Sequence, residues 1–188
     1  MSIFTKQKLP MTLTVGRIFA TVPVALLLLY SNQFPGLYLD WIAVVLFYAA
    51  SITDYYDGHL ARKYNAVSNL GKFLDPVADK ILVMAILVIL LHQQKIDPWM
   101  VILFIFRDTL VGGIRAAASA DGLVIPAQTT GKWKAALQMI SVPFMMVNEI
   151  HPYFPNLKIG YGLLWFSVLL SLISGWDYFK LYLDEKKS

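Results

Sequence analysis

The run Trp41-Ile-Ala-Val-Val-Leu-Phe-Tyr-Ala-Ala-Ser-Ile-Thr53 is apolar almost throughout, and it is followed directly by Asp54-Tyr-Tyr-Asp57-Gly58-His-Leu-Ala61-Arg62. A mirror arrangement comes next: Gly71-Lys-Phe-Leu-Asp75-Pro-Val-Ala-Asp79-Lys80 leads into the apolar run Ile81–Leu91. A helix needs about 20 residues to cross the hydrocarbon core of a bilayer. Neither run is that long, so each must be completed by its polar flank. The Asp-bearing ends are therefore expected at membrane depth, beside protein or a wet cavity rather than lipid.

Four further apolar stretches centre on Ile18–Tyr30, Pro98–Val111, Ala135–Val147 and Tyr161–Trp176. The chain has 188 residues, 57% of them hydrophobic and only 15% charged. An ordinary soluble globule could not hide so much apolar surface, and a disordered or nucleic-acid-binding chain would be far more polar. The absence of cysteine excludes disulfide scaffolds, thiolate metal sites and cysteine nucleophiles. The net charge of +4 suits a protein lying against anionic lipid or handling anionic substrates. The fold class expected is all-α: one domain over residues 1–188, built as an integral membrane bundle of six transmembrane helices. A short interfacial helix is expected over Ile3–Leu9.

Lysine and arginine set the orientation. The connections around 31–40, 92–97 and 148–158 hold few or none, whereas Lys6, Lys8, Arg62, Lys63, Lys72, Arg115, Lys132, Lys134, Lys180, Lys186 and Lys187 fall in the alternate connections and at the ends. This alternation places both termini in the cytoplasm. Trp41, Trp99, Trp133 and Trp176 fall near expected span ends, as interfacial belts do. The first stretch is read as a retained span rather than a signal peptide, because no clean small-residue cleavage site follows it.

Asp54 and Asp57 are spaced i,i+3, and Asp75 and Asp79 are spaced i,i+4, so each pair shares one helix face. Gly58 and Ala61 lie on the face of Asp54, and Gly71 on that of Asp75, leaving room for close approach. Two unit charges about 4 Å apart repel by about 4 kcal/mol at an effective dielectric of 20. Four carboxylates in one place therefore call for protonation or a bound cation, and an all-oxygen donor set selects Mg²⁺ or Mn²⁺ over zinc or copper, with Ca²⁺ also admissible. The bland alternative is two solvated helix-end pairs, with Asp75 before Pro76 serving as an N-cap. A cation path in a transporter is a further alternative, although the Asp residues sit in one block and the two halves of the chain do not mirror each other.

The pattern D-x-x-D-G-x-x-A-R, eight residues, G-x-x-x-D-x-x-x-D is complete in this chain and resembles the signature of the CDP-alcohol phosphatidyltransferases. That resemblance implies a homodimeric membrane enzyme of six spans. Such enzymes transfer a phosphatidyl group from CDP-diacylglycerol to an alcohol and release CMP. It implies that Asp54, Asp57, Asp75 and Asp79 hold one or two Mg²⁺ or Mn²⁺ ions, with Asp79 also the catalytic base. Thr14, Gly58, Ala61, Arg62, Ser68 and Gly71 would then bind CDP-diacylglycerol.

The similarity extends along nearly the whole chain to bacterial members that use glycerol 3-phosphate, which implies the cytoplasmic membrane with the active site on its cytoplasmic side. Leu9-Pro10-Met11-Thr12-Leu13-Thr14 with Arg17, Gly131-Lys132-Trp-Lys134, Gln138-Met139 and Ser174-Gly175-Trp176 carry it. Met11 stands where that branch usually has Asn, and Asp108 follows Arg107 where it usually has Glu.

Arg107 interrupts an apolar run and is costly there unless paired or facing water. With Arg115, Lys132 and Lys134 it could hold the phosphate of glycerol 3-phosphate. Snorkelling and positive-inside topology are the plainer readings of the same cations. Inositol phosphate, serine and phosphatidylglycerol are the alternative acceptors.

Overall fold

The structure is a computed structural model, and it describes residues 19–63, 69–123, 128–148 and 153–186. For residues 53–79 it describes only the backbone of the helices. The expected interfacial helix Ile3–Leu9, Thr14 and Ser68 lie outside the described residues.

As far as the residues are described, each expected apolar stretch coincides with a helix, α5 stopping one residue short of Val147, and no strand occurs among the described residues. The helices are α1 (Phe19–Tyr30), α2 (Leu39–Lys63), α3 (Asn69–His92), α4 (Pro98–Ala120), α5 (Thr129–Met146) and α6 (Asn156–Glu185), with a 3₁₀ turn at Pro35–Leu37 before α2. The polar flanks do complete the helices: α2 runs past Thr53 to Lys63, and α3 begins at Asn69, well before Ile81. Asp75 and Pro76 therefore lie inside α3, which removes the N-cap reading of Asp75. Among the described residues one helix, α6, is long and apolar enough to cross a membrane; at about 1.5 Å per residue it exceeds the roughly 30 Å hydrocarbon core.

The chain divides between Ile89 and Leu90 into two compact units. In the first, burial follows helical spacing: Val24 and Leu28 on α1, Ala43, Val44 and Phe47 on α2, and Leu82, Ile86 and Leu87 on α3 are buried.

The second unit is a three-helix arrangement whose directions follow from its side-chain contacts. Asp97 accepts from Tyr161, Arg107 reaches Ser171 and Ser174, and Asp121 accepts from Tyr182. Residue numbers rise together along both helices, so α4 and α6 run parallel. Between α5 and α6 they run oppositely: a Cβ on Gly131 would lie 3.3 Å from Ser174 Oγ, Ser167 Oγ donates to the Lys134 carbonyl at 3.0 Å, and a Cβ on Gly160 would lie 2.8 Å from Met145 Sδ.

The ends of these helices are closed explicitly. Leu123 N–H donates to Ala118 O and Gly122 N–H to Ser119 O, with Gly122 at φ +76°, the paired bonds that terminate a helix through a left-handed residue. At the end of α3 the same pair is made by Lys95 and Gln94, with Gln94 at φ +58° in the role glycine usually fills. Pro143 lies inside α5, near its C-terminal end. There the Asn156 amide, on a residue 1% exposed, donates to the carbonyls of Phe144, Val147 and Asn148, and Lys95 Nζ donates to that of Met146. These side chains supply donors for helix-end carbonyls that have no partner within the helix.

Candidate functional site

Two groups of residues singled out by the sequence fall in the two units and are taken separately. In the first unit, Asp54, Asp57, Gly58, Ala61 and Arg62 are on α2, and Gly71, Asp75 and Asp79 are on α3. All are in helical backbone, so the i,i+3 and i,i+4 spacings are turns of real helices. Their side chains lie outside the described ones.

The second unit holds a buried ionic cluster. Arg107 on α4, only 8% exposed, is held at three points: Nε donates to the Ser171 carbonyl at 2.9 Å, Nη1 to Asp108 Oδ1 at 2.8 Å and Nη2 to Ser174 Oγ at 2.8 Å. Lys134 on α5 donates to both oxygens of the same Asp108, at 2.9 and 3.0 Å, and its ammonium lies 5.3 Å from the centre of the Phe104 ring. Among the described residues, two cations and one anion thus share a buried site. The close approach of the three helices depends on small residues: a Cβ on Gly131 would crowd Ser174 Oγ, and one on Gly175 would lie 3.2 Å from Arg107 Cγ.

Of the four cations read as an acceptor-phosphate site, the structure brings Arg107 and Lys134 together. Arg115 and Lys132 are exposed. Helical geometry separates them: Lys132 is about 200° around α5 from Lys134, and Arg115 is about 80° around α4 from Arg107. Asp108 links Arg107 to Lys134 although it is one methylene shorter than the usual Glu. Sequence reasoning missed the roles of Ser171 and Ser174 as anchors for Arg107. The Ser174-Gly175 dipeptide was a signal, but its chemistry became legible only with Arg107 beside it.

Residues 7–173 match the family model of the CDP-alcohol phosphatidyltransferases. The chain belongs to that family. The family match takes in both carboxylate pairs, and with them Arg107, Asp108 and Lys134. Among curated proteins, the chain is similar to the CDP-diacylglycerol–glycerol-3-phosphate 3-phosphatidyltransferase of Rickettsia bellii (strain RML369-C), 37% identical over 93% of this chain and 94% of that one. It is likewise similar to the protein of that name from Bacillus subtilis (strain 168), 35% identical over 91% and 93% of the two chains. The protein of that name from Rickettsia prowazekii (strain Madrid E) is 36% identical over 93% and 94%.

Proposed function

We propose that this chain transfers the phosphatidyl group of CDP-diacylglycerol to sn-glycerol 3-phosphate, giving phosphatidylglycerophosphate and CMP. The observation that carries the reading is the likeness, over more than nine-tenths of the chain, to relatives named for that reaction. The buried Arg107–Asp108–Lys134 cluster supports it, since a guanidinium and an ammonium brought together suit a phosphorylated acceptor.

The donor set of the signature fits a hard divalent cation: four carboxylates, paired on helical backbone, with no sulfur or imidazole in the set. Asp54, Asp57, Asp75 and Asp79 would hold one or two Mg²⁺ or Mn²⁺ ions. Bound there, the metal supplies neutralisation of the charge that builds on the diphosphate and on departing CMP. Thr14, Gly58, Ala61, Arg62, Ser68 and Gly71 bind the CDP-diacylglycerol head group, Arg62 through charge-assisted bonds to phosphate. Arg107 and Lys134 orient the acceptor through its phosphate, with Arg115 and Lys132 as exposed cations drawing it in. Asp79 takes the proton from the attacking hydroxyl as that oxygen bonds to the β-phosphorus and the bond to the CMP oxygen breaks.

We place the chain in the cytoplasmic membrane as six spans, with both termini and the active site on the cytoplasmic side, and as a homodimer, as the family resemblance implies. The distribution of side chains in the second unit supports the membrane. Ile102, Ile105, Phe106, Phe166, Leu169, Ile173 and Trp176 are exposed, whereas Arg107, Asp108, Lys134, Gln138, Ser167, Ser171 and Ser174 are buried. That is the inverse of a water-soluble bundle. The parallel course of α4 and α6 puts Arg115, Lys132 and Lys180 toward one end of that unit, in keeping with the positive-inside rule.

The acceptor is tested by supplying labelled CDP-diacylglycerol to the purified protein with glycerol 3-phosphate, inositol phosphate, serine or phosphatidylglycerol in turn. CMP release and a lipid product with glycerol 3-phosphate alone is the expected result. Transfer to another alcohol in preference to it would reject the acceptor assignment.

A further inference from the structure

Lys134 is not the last buried polar residue on its face of α5. Gln138 follows four residues later, so it lies one turn further along the same face, about 6 Å away along the axis. It is 93% buried by its 7% exposure, and its Nε2 has no hydrogen-bond partner among the described residues. On α6 the Ser171 hydroxyl is in the same condition: the residue is 1% exposed, its Oγ is unpartnered, and its carbonyl is the group that holds Arg107 Nε. The contacts that fix the α5–α6 register place Gln138 between the Lys134–Ser167 and the Met145–Gly160 levels. On the antiparallel α6, Ser171 lies to the other side of the Lys134–Ser167 level, toward Gly131 and Ser174, so the two orphaned groups flank that level along one seam. Buried polar groups in native proteins are almost always paired, and an unpaired amide is costly, so this one is a place for a water or a ligand to fill.

The chemistry of these groups defines what that ligand offers. Arg107 and Lys134 are cations matched to a phosphate. Gln138 has a carboxamide, which donates and accepts, and Ser171 has a hydroxyl, which does the same. Such groups match an alcohol hydroxyl rather than a second anion. Glycerol 3-phosphate carries both features on a three-carbon chain, so a phosphate at the Arg107–Lys134 level brings a hydroxyl within about one helical turn of it. Resting on the acceptor reading above, we propose that Gln138 binds the non-reacting secondary hydroxyl of the acceptor and so determines which phosphorylated alcohol is accepted.

The test compares glycerol 3-phosphate with 3-hydroxypropyl phosphate, which lacks only that hydroxyl, in wild type and in Gln138→Met. Wild type should favour glycerol 3-phosphate in kcat/KM by roughly tenfold or more, the worth of a hydrogen bond whose loss strands a buried partner. Gln138→Met should bring the ratio close to one while KM for CDP-diacylglycerol stays at its wild-type value. Without acceptor, Gln138→Met should melt no lower than wild type, because an unpaired buried amide has been replaced by an apolar chain of similar length. An unchanged acceptor ratio, or a fall in melting temperature showing that Gln138 is paired within the fold, would overturn the proposal. Should Gln138→Met fail to accumulate, that too counts as such a fall, and Gln138→Glu, which retains the size, gives the acceptor ratio. A wild-type protein that transfers nothing to glycerol 3-phosphate would overturn the acceptor reading and this proposal together; normal wild-type transfer with an unchanged ratio would overturn this proposal alone.

Discussion

Replacing Asp108 by asparagine removes the anion that, among the described residues, lies between Arg107 and Lys134, while keeping nearly the same shape. Arg107 Nη1 and Lys134 Nζ lie 2.8 and 2.9 Å from the same Oδ1, so they are no further apart than the sum of those distances. At that separation two unit charges repel by about 3 kcal/mol at an effective dielectric of 20. The Arg107, Lys134 and Asp108 side chains are 10%, 8% and 7% exposed, so water does little to screen them. Leaving buried charges without their counter-ion typically costs about 3–5 kcal/mol. For a chain of this size that is a fall in melting temperature on the order of 10 °C. The assay is thermal unfolding in detergent followed by the far-ultraviolet helical signal. Adding Lys134→Met to Asp108→Asn removes one of the two facing cations and should restore about half of the loss, a coupling that only neighbours show. A melting temperature for Asp108→Asn within 2 °C of wild type, or no recovery in the double variant, would refute the claim that Asp108 balances both cations.

Other substitutions probe the seams that hold the cluster in place. Asn156→Ala removes the donors to the Phe144, Val147 and Asn148 carbonyls, at 3.2, 3.2 and 3.4 Å, and should cost about 2 kcal/mol in the same unfolding assay. Gly160→Ala puts a Cβ 2.9 Å from Phe144 Cβ, an atom tied closely to the backbone, so α5 and α6 must part; a loss of about 1–3 kcal/mol is expected. Arg107→Lys keeps the charge but loses the fork that spans Ser171, Asp108 and Ser174; KM for glycerol 3-phosphate should rise about tenfold while that for CDP-diacylglycerol holds.

The helices were legible because the apolar runs in this chain are few and are set apart by polar connections. Their ends were less so, since hydrophobicity marks what is buried or lipid-facing and says little about polar residues that continue a helix. That is why α2 reaches Lys63 and α3 starts at Asn69, and why Asp75 before Pro76 could be read as a helix start. Arg107 stood out because a guanidinium inside an apolar run demands compensation. Its compensation did not stand out: Ser171 and Ser174 lie more than sixty residues downstream, and serine is too common a residue to signal a contact at that range. Arg115 and Lys132 were grouped with Arg107 and Lys134 by charge alone, although helical spacing already set them off the buried faces.

The account rests on the four carboxylates of α2 and α3 serving the transfer reaction. Its most direct test is CMP release from CDP-diacylglycerol and glycerol 3-phosphate by the purified protein, measured with and without a chelator and in Asp79→Asn. We predict that chelation abolishes release, that added Mg²⁺ or Mn²⁺ restores it, and that Asp79→Asn is inactive with its helical content intact. Undiminished CMP release in the chelated protein or in Asp79→Asn would contradict it.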